Sequence, residues 1–285
     1  MKTNRKISFL IVTLVYVLAS VVGILCYNIL DLAFWLRILI ADVIATILVF
    51  IFSVILKNAS VYDPYWSVAP IVILGVLSFE YGLNITGWLV LIAVIVWGVR
   101  LTLNWAYTFK DLTHEDWRYR MLHQKTGKFY PIINFVGIHM VPTLVVYFCI
   151  MPFAYLIATG IEMNALTIVF FVLCLLSALL QGVSDIQMHK FRKNKNSVFI
   201  RNGVWKYSRH PNYLAEILMW WSAGLMAVFT FMDRPYLLLG AILNTLLFLF
   251  VSIPMAENHQ KQRKDGFDLY KSQTRMLLPI KKPLL

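Results

Sequence analysis

Long apolar runs separated by short charged loops make up most of the chain. A helix needs about 20 apolar residues to cross the hydrocarbon core of a bilayer, and most of these runs reach that length. The pattern predicts eight membrane-spanning helices, at residues 7–30, 32–56, 67–81, 86–109, 131–158, 164–189, 211–232 and 235–256. The third run is short and could instead be a re-entrant segment.

The distribution of basic residues favours counting the third run as a span. With eight spans, nearly all lysines and arginines of the loops fall on one side of the membrane, and only Arg234 lies in a loop on the other side. Because basic loops mark the cytoplasmic side, both termini are predicted to lie in the cytoplasm. The charged sequence after residue 256 predicts an amphipathic helix at the membrane surface.

Composition agrees with this pattern and excludes other classes. The 285 residues are 60% hydrophobic and 14% charged, whereas soluble domains carry about 25% charged residues. The predicted fold is therefore all-α, a polytopic transmembrane helix bundle, and the sequence contains no GxGxxG motif of a Rossmann unit. The net charge of +12 lies mostly in short loops, which argues against nucleic acid as a partner. The three cysteines form no CxxC pair, so neither a disulfide framework nor a metal site is predicted.

The stretch RNGVWKYSRHPNYLAEILMWW, residues 201–221, places polar side chains where a basic loop becomes an apolar helix. Pro211 favours a helix start, so His210 is predicted at the helix mouth. One face of that helix is predicted to carry Asn212, Glu216 and Trp220. An interface anchor explains the basic and aromatic residues, but a carboxylate such as Glu216 inside an apolar helix needs a partner.

Further ionisable residues lie within or beside the apolar runs. Asp63 stands between Tyr62 and Tyr65 just ahead of the third run, where it could cap a helix or act as an acid of raised pKa. Arg100 and Asn104 are one turn apart near the end of the fourth run, and a snorkelling arginine is the structural alternative.

The sixth run ends in a polar stripe at helical spacing, formed by Gln181, Asp185, His189 and Arg192. A solvated helix end would also produce such a stripe. In the predicted topology these residues reach the cytoplasmic side together with His259 and Arg263. Several arginines and histidines at one mouth suit a phosphate-bearing cofactor. In the second run, Arg37 and Asp42 could contact each other or other helices, and a structural role is expected for both.

Three segments carry a resemblance to a known family: residues 201–221, the preceding SDIQMHKFRK and the later YKSQTRMLLP. Together they resemble the steroid 5-alpha-reductase superfamily of membrane enzymes, closest to its broad bacterial branch. The resemblance covers residues 184–279 and, more weakly, 62–119. Residues 1–61 are thus predicted to be an N-terminal transmembrane pair outside it, and residues 62–285 a reductase-like domain. Similar Arg-His-Pro segments occur in sterol reductases and in isoprenylcysteine and phospholipid methyltransferases.

The resemblance implies NADPH bound in the helix bundle, open to the cytosol. The residues matching the family's cofactor contacts are Arg100, Asp185, Arg192, Asn212, Trp220 and His259. Plausible additions are Asn104, Arg118, His210, Glu216 and Arg263. Asp63 falls at the position of the catalytic acid. The family's partner tyrosine is replaced here by Trp97, so Tyr62 or Tyr65 is expected to take its place.

These observations predict an integral-membrane NADPH-dependent reductase of a carbon–carbon double bond conjugated to a carbonyl. The substrate is expected to be lipid-like: a steroid, a polyprenoid or an enoyl compound. A methyltransferase of lipids or isoprenylcysteine that uses S-adenosylmethionine, and a non-enzymatic membrane protein or transporter, are the alternatives. The expected location is the bacterial inner membrane. The oligomeric state does not follow from the sequence.

Overall fold

The computed structural model describes residues 3–194 and 197–278, and these form helices joined by short loops. The helical segments long and apolar enough to cross a membrane are α1 Arg5–Ile29, α2 Phe34–Leu56, α3 Ala59–Tyr81, α4 Ile85–Thr108, α5 Trp117–Thr159, α6 Ala165–Asn194, α7 Pro211–Thr230 and α8 Pro235–Arg263. A short helix, α9, follows at Phe267–Gln273. No β-strand occurs within the described ranges. The predicted all-α bundle with eight spans is confirmed.

Helix ends differ from the predicted ones where a polar side chain caps an earlier turn. The third span begins at Ala59, not at residue 67, because the Asn58 side chain accepts from the amide of Ser60 at 2.9 Å and starts a 3₁₀ turn. Asp63 lies in the turn between this 3₁₀ turn and the α-helical part of α3, which begins at Tyr65, so it stands just ahead of that α-helix as predicted. The fifth helical segment begins at Trp117, since Asp116 caps it by accepting from the amide of Arg118.

Two helical segments contain π-helical stretches. In α5 this stretch is Ile133–Met140, and in α8 it is Phe248–Ser252. Through the second stretch, α8 continues past the predicted end at residue 256 as far as Arg263. The predicted surface helix follows as α9, which buries Phe267 and Tyr270 and exposes Asp268 and Lys271.

The chain forms two compact units, Met1–Met163 and Asn164–Leu285. In the first unit, α1 packs on α2, and α3 packs on α4 and α5. Small residues bring α1 and α2 close: a methyl group added at Gly23 would lie 3.5 Å from Cβ of Ala45. In the second unit, α6 and α7 form the most extensive contact, and α8 packs on α7.

Large apolar side chains face outward along the predicted spans. Leu10 and Leu14 of α1, Leu103 of α4 and Leu179 of α6 are all more than half exposed. Such surfaces suit surrounding lipid, and together with the eight apolar helices they indicate an integral membrane protein.

Candidate functional site

Asp63 forms a short acid–phenol contact in the first unit. The hydroxyl of Tyr119 donates to Oδ1 of Asp63 at 2.5 Å. Nη2 of Arg118 lies 3.7 Å from the same oxygen. The Asp63 side chain is 16% exposed, and Tyr119 is buried. A nearly buried carboxyl group thus accepts a hydrogen bond from a phenol and has a cation beside it.

Arg118 is held chiefly by a second carboxylate, that of Asp116. Nε of Arg118 donates to Oδ1 of Asp116 at 2.8 Å, a closer contact than the one to Asp63. Burial alone would raise the pKa of Asp116, but the charge and hydrogen bonds of Arg118 outweigh it and lower that pKa. Asp116 therefore remains ionised and fixes the guanidinium near Asp63.

The loop before α5 is tied to the start of α3, which explains how Tyr119 reaches Asp63. The Asn58 side chain donates to the carbonyl oxygen of Leu112 at 2.8 Å. The amide of Ala59 donates to Glu115 at 2.9 Å, and the amide of Asp116 donates to Ser60 at 2.8 Å. These bonds join segments more than 50 residues apart, so the sequence alone gave no spacing that linked Tyr119 to Asp63.

Tyr62 and Tyr65 direct their hydroxyl groups elsewhere. The Tyr62 hydroxyl lies 2.7 Å from Oγ1 of Thr143, which in turn lies 3.0 Å from Oγ1 of Thr46. The Tyr65 hydroxyl donates to Oδ1 of Asp42 at 3.0 Å. The structure thus pairs Asp63 with Tyr119, where the sequence analysis expected Tyr62 or Tyr65. Tyr119 is not among the catalytic candidates that the sequence indicated.

The residues expected on α4 lie at the predicted helical spacing. Arg100 and Asn104 are both partly buried and one turn apart. Trp97 is fully buried, and its ring centroid is 6.0 Å from that of Trp66. An indole N–H group can donate a hydrogen bond but cannot accept one, so Trp97 cannot relay a proton as a tyrosine at that position could.

In the second unit, the buried carboxylate of Glu216 has two hydrogen-bond donors, Trp220 and Gln181. Nε1 of Trp220 donates to one carboxylate oxygen at 2.7 Å, and the side-chain amide of Gln181 donates to the other. Glu216 is 2% exposed. The predicted shared face of Glu216 and Trp220 is confirmed, with Asn212 partly buried one turn earlier.

The polar stripe of α6 is only partly engaged in packing. Gln181 is buried, Asp185 is partly buried one turn later, and Arg192 is exposed near the helix end. A 3₁₀ turn at Gly203–Lys206 docks beside this stripe, since Nε1 of Trp205 donates to the carbonyl oxygen of Ser184 at 3.0 Å. The stripe thus runs from a buried end to a surface end.

His210 lies in a buried ionic cluster that sequence reasoning missed. Oε1 of Glu257 is 2.7 Å from Nη2 of Arg209 and 3.1 Å from Nε2 of His210, and Nζ of Lys271 is 3.1 Å from Oε2. Burial lowers the pKa of His210, although the hydrogen bond that its imidazole donates to Glu257 opposes the shift. His210 therefore faces Glu257 instead of an open helix mouth. The sequence feature that could have predicted this cluster is Glu257, an acid directly after the last apolar run.

A second basic group lies on the surface near the end of α8. Nη1 of Arg263 is 3.3 Å from Nε2 of His259. Lys264 follows Arg263 and is partly buried, and burial, together with the charge of Arg192, lowers its pKa. Arginine and lysine donors fit phosphate groups, so the residues present are compatible with a phosphate-bearing dinucleotide. They would hold the phosphates through Arg192, Arg263 and Lys264.

The fold and these polar groups define a polytopic all-helical membrane protein with buried acids at membrane depth. Residues 49–274 match the family model described as "Protein of unknown function (DUF1295)", and the chain belongs to this family. An uncharacterised protein of Schizosaccharomyces pombe is 27% identical over 199 residues, which cover 60% of this chain and 58% of that protein. The chain therefore spans less than two thirds of the length of this relative. No solved structure matches the chain.

Proposed function

We propose that this protein is an NADPH-dependent reductase that acts on a conjugated carbon–carbon double bond in a lipid-like substrate. The observation that carries the proposal is the 2.5 Å contact between Tyr119 and Asp63, with Arg118 beside it. An acid–phenol pair of this kind holds a proton where a substrate carbonyl could accept it, and so favours the enolate that forms during reduction.

The roles in the first unit follow from the contacts of each side chain. The Asp63–Tyr119 pair holds the proton, and the phenol of Tyr119 or the acid of Asp63 donates to the carbonyl oxygen. Arg118, fixed by Asp116, limits the charge that builds up at Asp63 when the proton leaves.

NADPH, when bound, supplies the hydride. Three residues of the second unit, Arg192, Arg263 and Lys264, offer the cationic donors that phosphates require. Asp185 and Asn212 are partly buried polar groups that could bind the sugar or amide groups of the cofactor. In this proposal the resemblance to the steroid 5-alpha-reductase superfamily supplies the reaction class, and Asp63 matches its acid. The asymmetry of basic loops supports cytoplasmic termini, and a bacterial inner membrane is the proposed location.

A cofactor-binding measurement tests the proposal most directly. NADPH is expected to raise the melting temperature of the purified protein in detergent, while S-adenosylmethionine leaves it unchanged. A shift with S-adenosylmethionine alone would support a lipid methyltransferase instead. If neither compound shifts the melting temperature, the reductase proposal fails and a transporter or structural role gains support.

Substitution of the acid tests its role. Asp63→Asn should lower NADPH consumption with an enone lipid by about 10²–10⁴-fold, because it removes a general acid, yet leave the NADPH-induced thermal shift intact. Glu162→Gln, at an exposed acid of the loop between α5 and α6, is the control and should change neither quantity. Loss of NADPH binding in Asp63→Asn would assign Asp63 to cofactor binding or structure instead.

A further inference from the structure

A groove lies among α1, α2 and α3 of the first unit. The free space along it, counted together with space open to the surroundings, is about 550 Å³, and most of its lining is aliphatic. Along α3 the lining runs from Tyr65 to Val76, which is about 16 Å at 1.5 Å per helical residue. The groove is therefore long and narrow, and its walls suit an alkyl chain. Most of the lining precedes residue 49, where the family match begins.

One carboxyl group, that of Asp42, lines this mostly apolar groove. Asp42 is eight residues from the start of α2 and fourteen from its end, or about 12 Å and 21 Å along the helix. These distances place it well inside a hydrocarbon core of about 30 Å. An acid at that depth, with 5% exposure, is costly unless hydrogen-bond donors surround it.

The Asp42 carboxylate can accept more hydrogen bonds than the one that Tyr65 donates to it. Tyr65 donates one hydrogen bond to Oδ1, whereas a carboxylate has about four lone-pair positions. The other phenols of the groove donate elsewhere: Tyr16 to the carbonyl oxygen of Val61 and Tyr27 to Glu80, both at 2.5 Å. The groove thus presents one buried acceptor and no second phenol directed at it.

We propose that this groove binds an apolar molecule whose single hydroxyl group donates a hydrogen bond to Asp42. The alkyl or ring portion lies along α3 toward Val76, and the hydroxyl end lies between Asp42 and Tyr65. Membrane-spanning helices enclose the groove, so the ligand enters from lipid. The binding site is independent of the reductase proposal, because binding needs neither cofactor nor turnover.

The depth and the donor count select a simple alcohol over other amphiphiles. A phospholipid keeps its charged head group at the interface, about 12 Å from Asp42 along the nearer part of α2. An alkylammonium ion carries three donors, but beyond Asp42 and its partner Tyr65 the groove offers mainly Ser20 as a further acceptor. A hydroxyl group has one donor hydrogen, which the Asp42 carboxylate can accept.

Retention of tritiated 1-hexadecanol by the purified protein in detergent tests the proposal. The alcohol should bind, and hexadecyl methyl ether, which cannot donate, should compete about tenfold less well. Asp42→Leu should weaken retention by a similar factor, while Asp42→Asn keeps an acceptor oxygen and should retain the alcohol. Melting temperatures without ligand confirm that each variant is folded.

A variant that fills the groove and a matched control outside it test the site without changing Asp42. Val72→Trp adds an indole inside the groove and should abolish retention, whereas Val21→Trp adds the same side chain on the exposed face of α1 and should not. Equal binding of the alcohol and its ether, or retention unaffected by Val72→Trp, would overturn the site. Stronger competition by hexadecylamine than by the alcohol would overturn the assignment of a hydroxyl group.

Discussion

Two nearly buried acids, Asp63 in the first unit and Glu257 in the second, differ in how their charge is balanced. Glu257 receives Arg209, His210 and Lys271 within 3.1 Å, so both of its oxygens are engaged by basic groups. Asp63 has one phenol at 2.5 Å and one guanidinium at 3.7 Å that a second acid shares.

The difference separates a structural cluster from a reactive pair. A carboxylate held by several cations remains ionised and fixes the elements that carry them, here the start of α7, the end of α8 and α9. A carboxyl group beside a phenol and a shared cation can gain and lose a proton at smaller cost. Three experiments test this comparison, from the largest expected effect to the smallest.

Glu257→Ala is expected to lower the free energy of unfolding by about 3–5 kcal/mol, because it leaves Arg209 buried without its acid. Thermal or denaturant unfolding in detergent measures the change. The matched control is Asp268→Asn, which breaks the exposed pair with Lys261 and should cost less than about 1 kcal/mol. Equal effects of the two substitutions would contradict a structural role for the buried cluster.

Tyr119→Phe is expected to reduce turnover by about 10- to 100-fold, since a hydrogen bond to a charged group contributes about 1.5–3 kcal/mol. Tyr62→Phe breaks the contact with Thr143 and should have the smaller effect. The rate of NADPH consumption, compared at equal folded protein, distinguishes the two phenols. A larger loss in Tyr62→Phe would return the proton-donor role to Tyr62, one of the two tyrosines that the sequence indicated.

His210 predicts a weaker, pH-dependent effect. Its pKa lies below the usual value of about 6.5 because the residue is buried. Below about pH 6.5 the unfolded chain therefore binds more protons than the folded one, and stability falls as pH decreases toward the folded-state pKa. The melting temperature of His210→Gln should decline less steeply than that of the parent protein from pH 7.5 to pH 5.5. Parallel declines would show that His210 is not the group responsible.

Sequence patterns identified the spans and the local helix faces because those depend on neighbours three or four residues away. Glu216 and Trp220 illustrate this, since both lie on α7 and their contact follows from a spacing of four. The partner on the other helix, Gln181, was visible as a polar residue, but its contact with Glu216 depends on how α6 packs against α7.

Contacts between distant segments could not be predicted in the same way. Arg37 and Asp42 were considered as partners of each other, yet Arg37 pairs with Glu80 at 2.8 Å and Asp42 with Tyr65 at 3.0 Å. Because Arg37 and Asp42 are five residues apart, their side chains lie on different faces of α2. Each partner then comes from α3, whose register against α2 is not encoded in local spacing.

The sequence by itself determined an all-helical membrane protein, the approximate positions of its eight spans and which polar residues lie at membrane depth. Hydropathy fixes these features because the cost of exposing polar groups to hydrocarbon is local to each segment. Only the tertiary structure decided that Tyr119 pairs with Asp63, that Glu257 gathers Arg209 and His210, and that Asp42 faces an apolar groove. Those pairings depend on helix packing and on loop contacts between segments far apart in the chain, which hydrophobic periodicity does not specify.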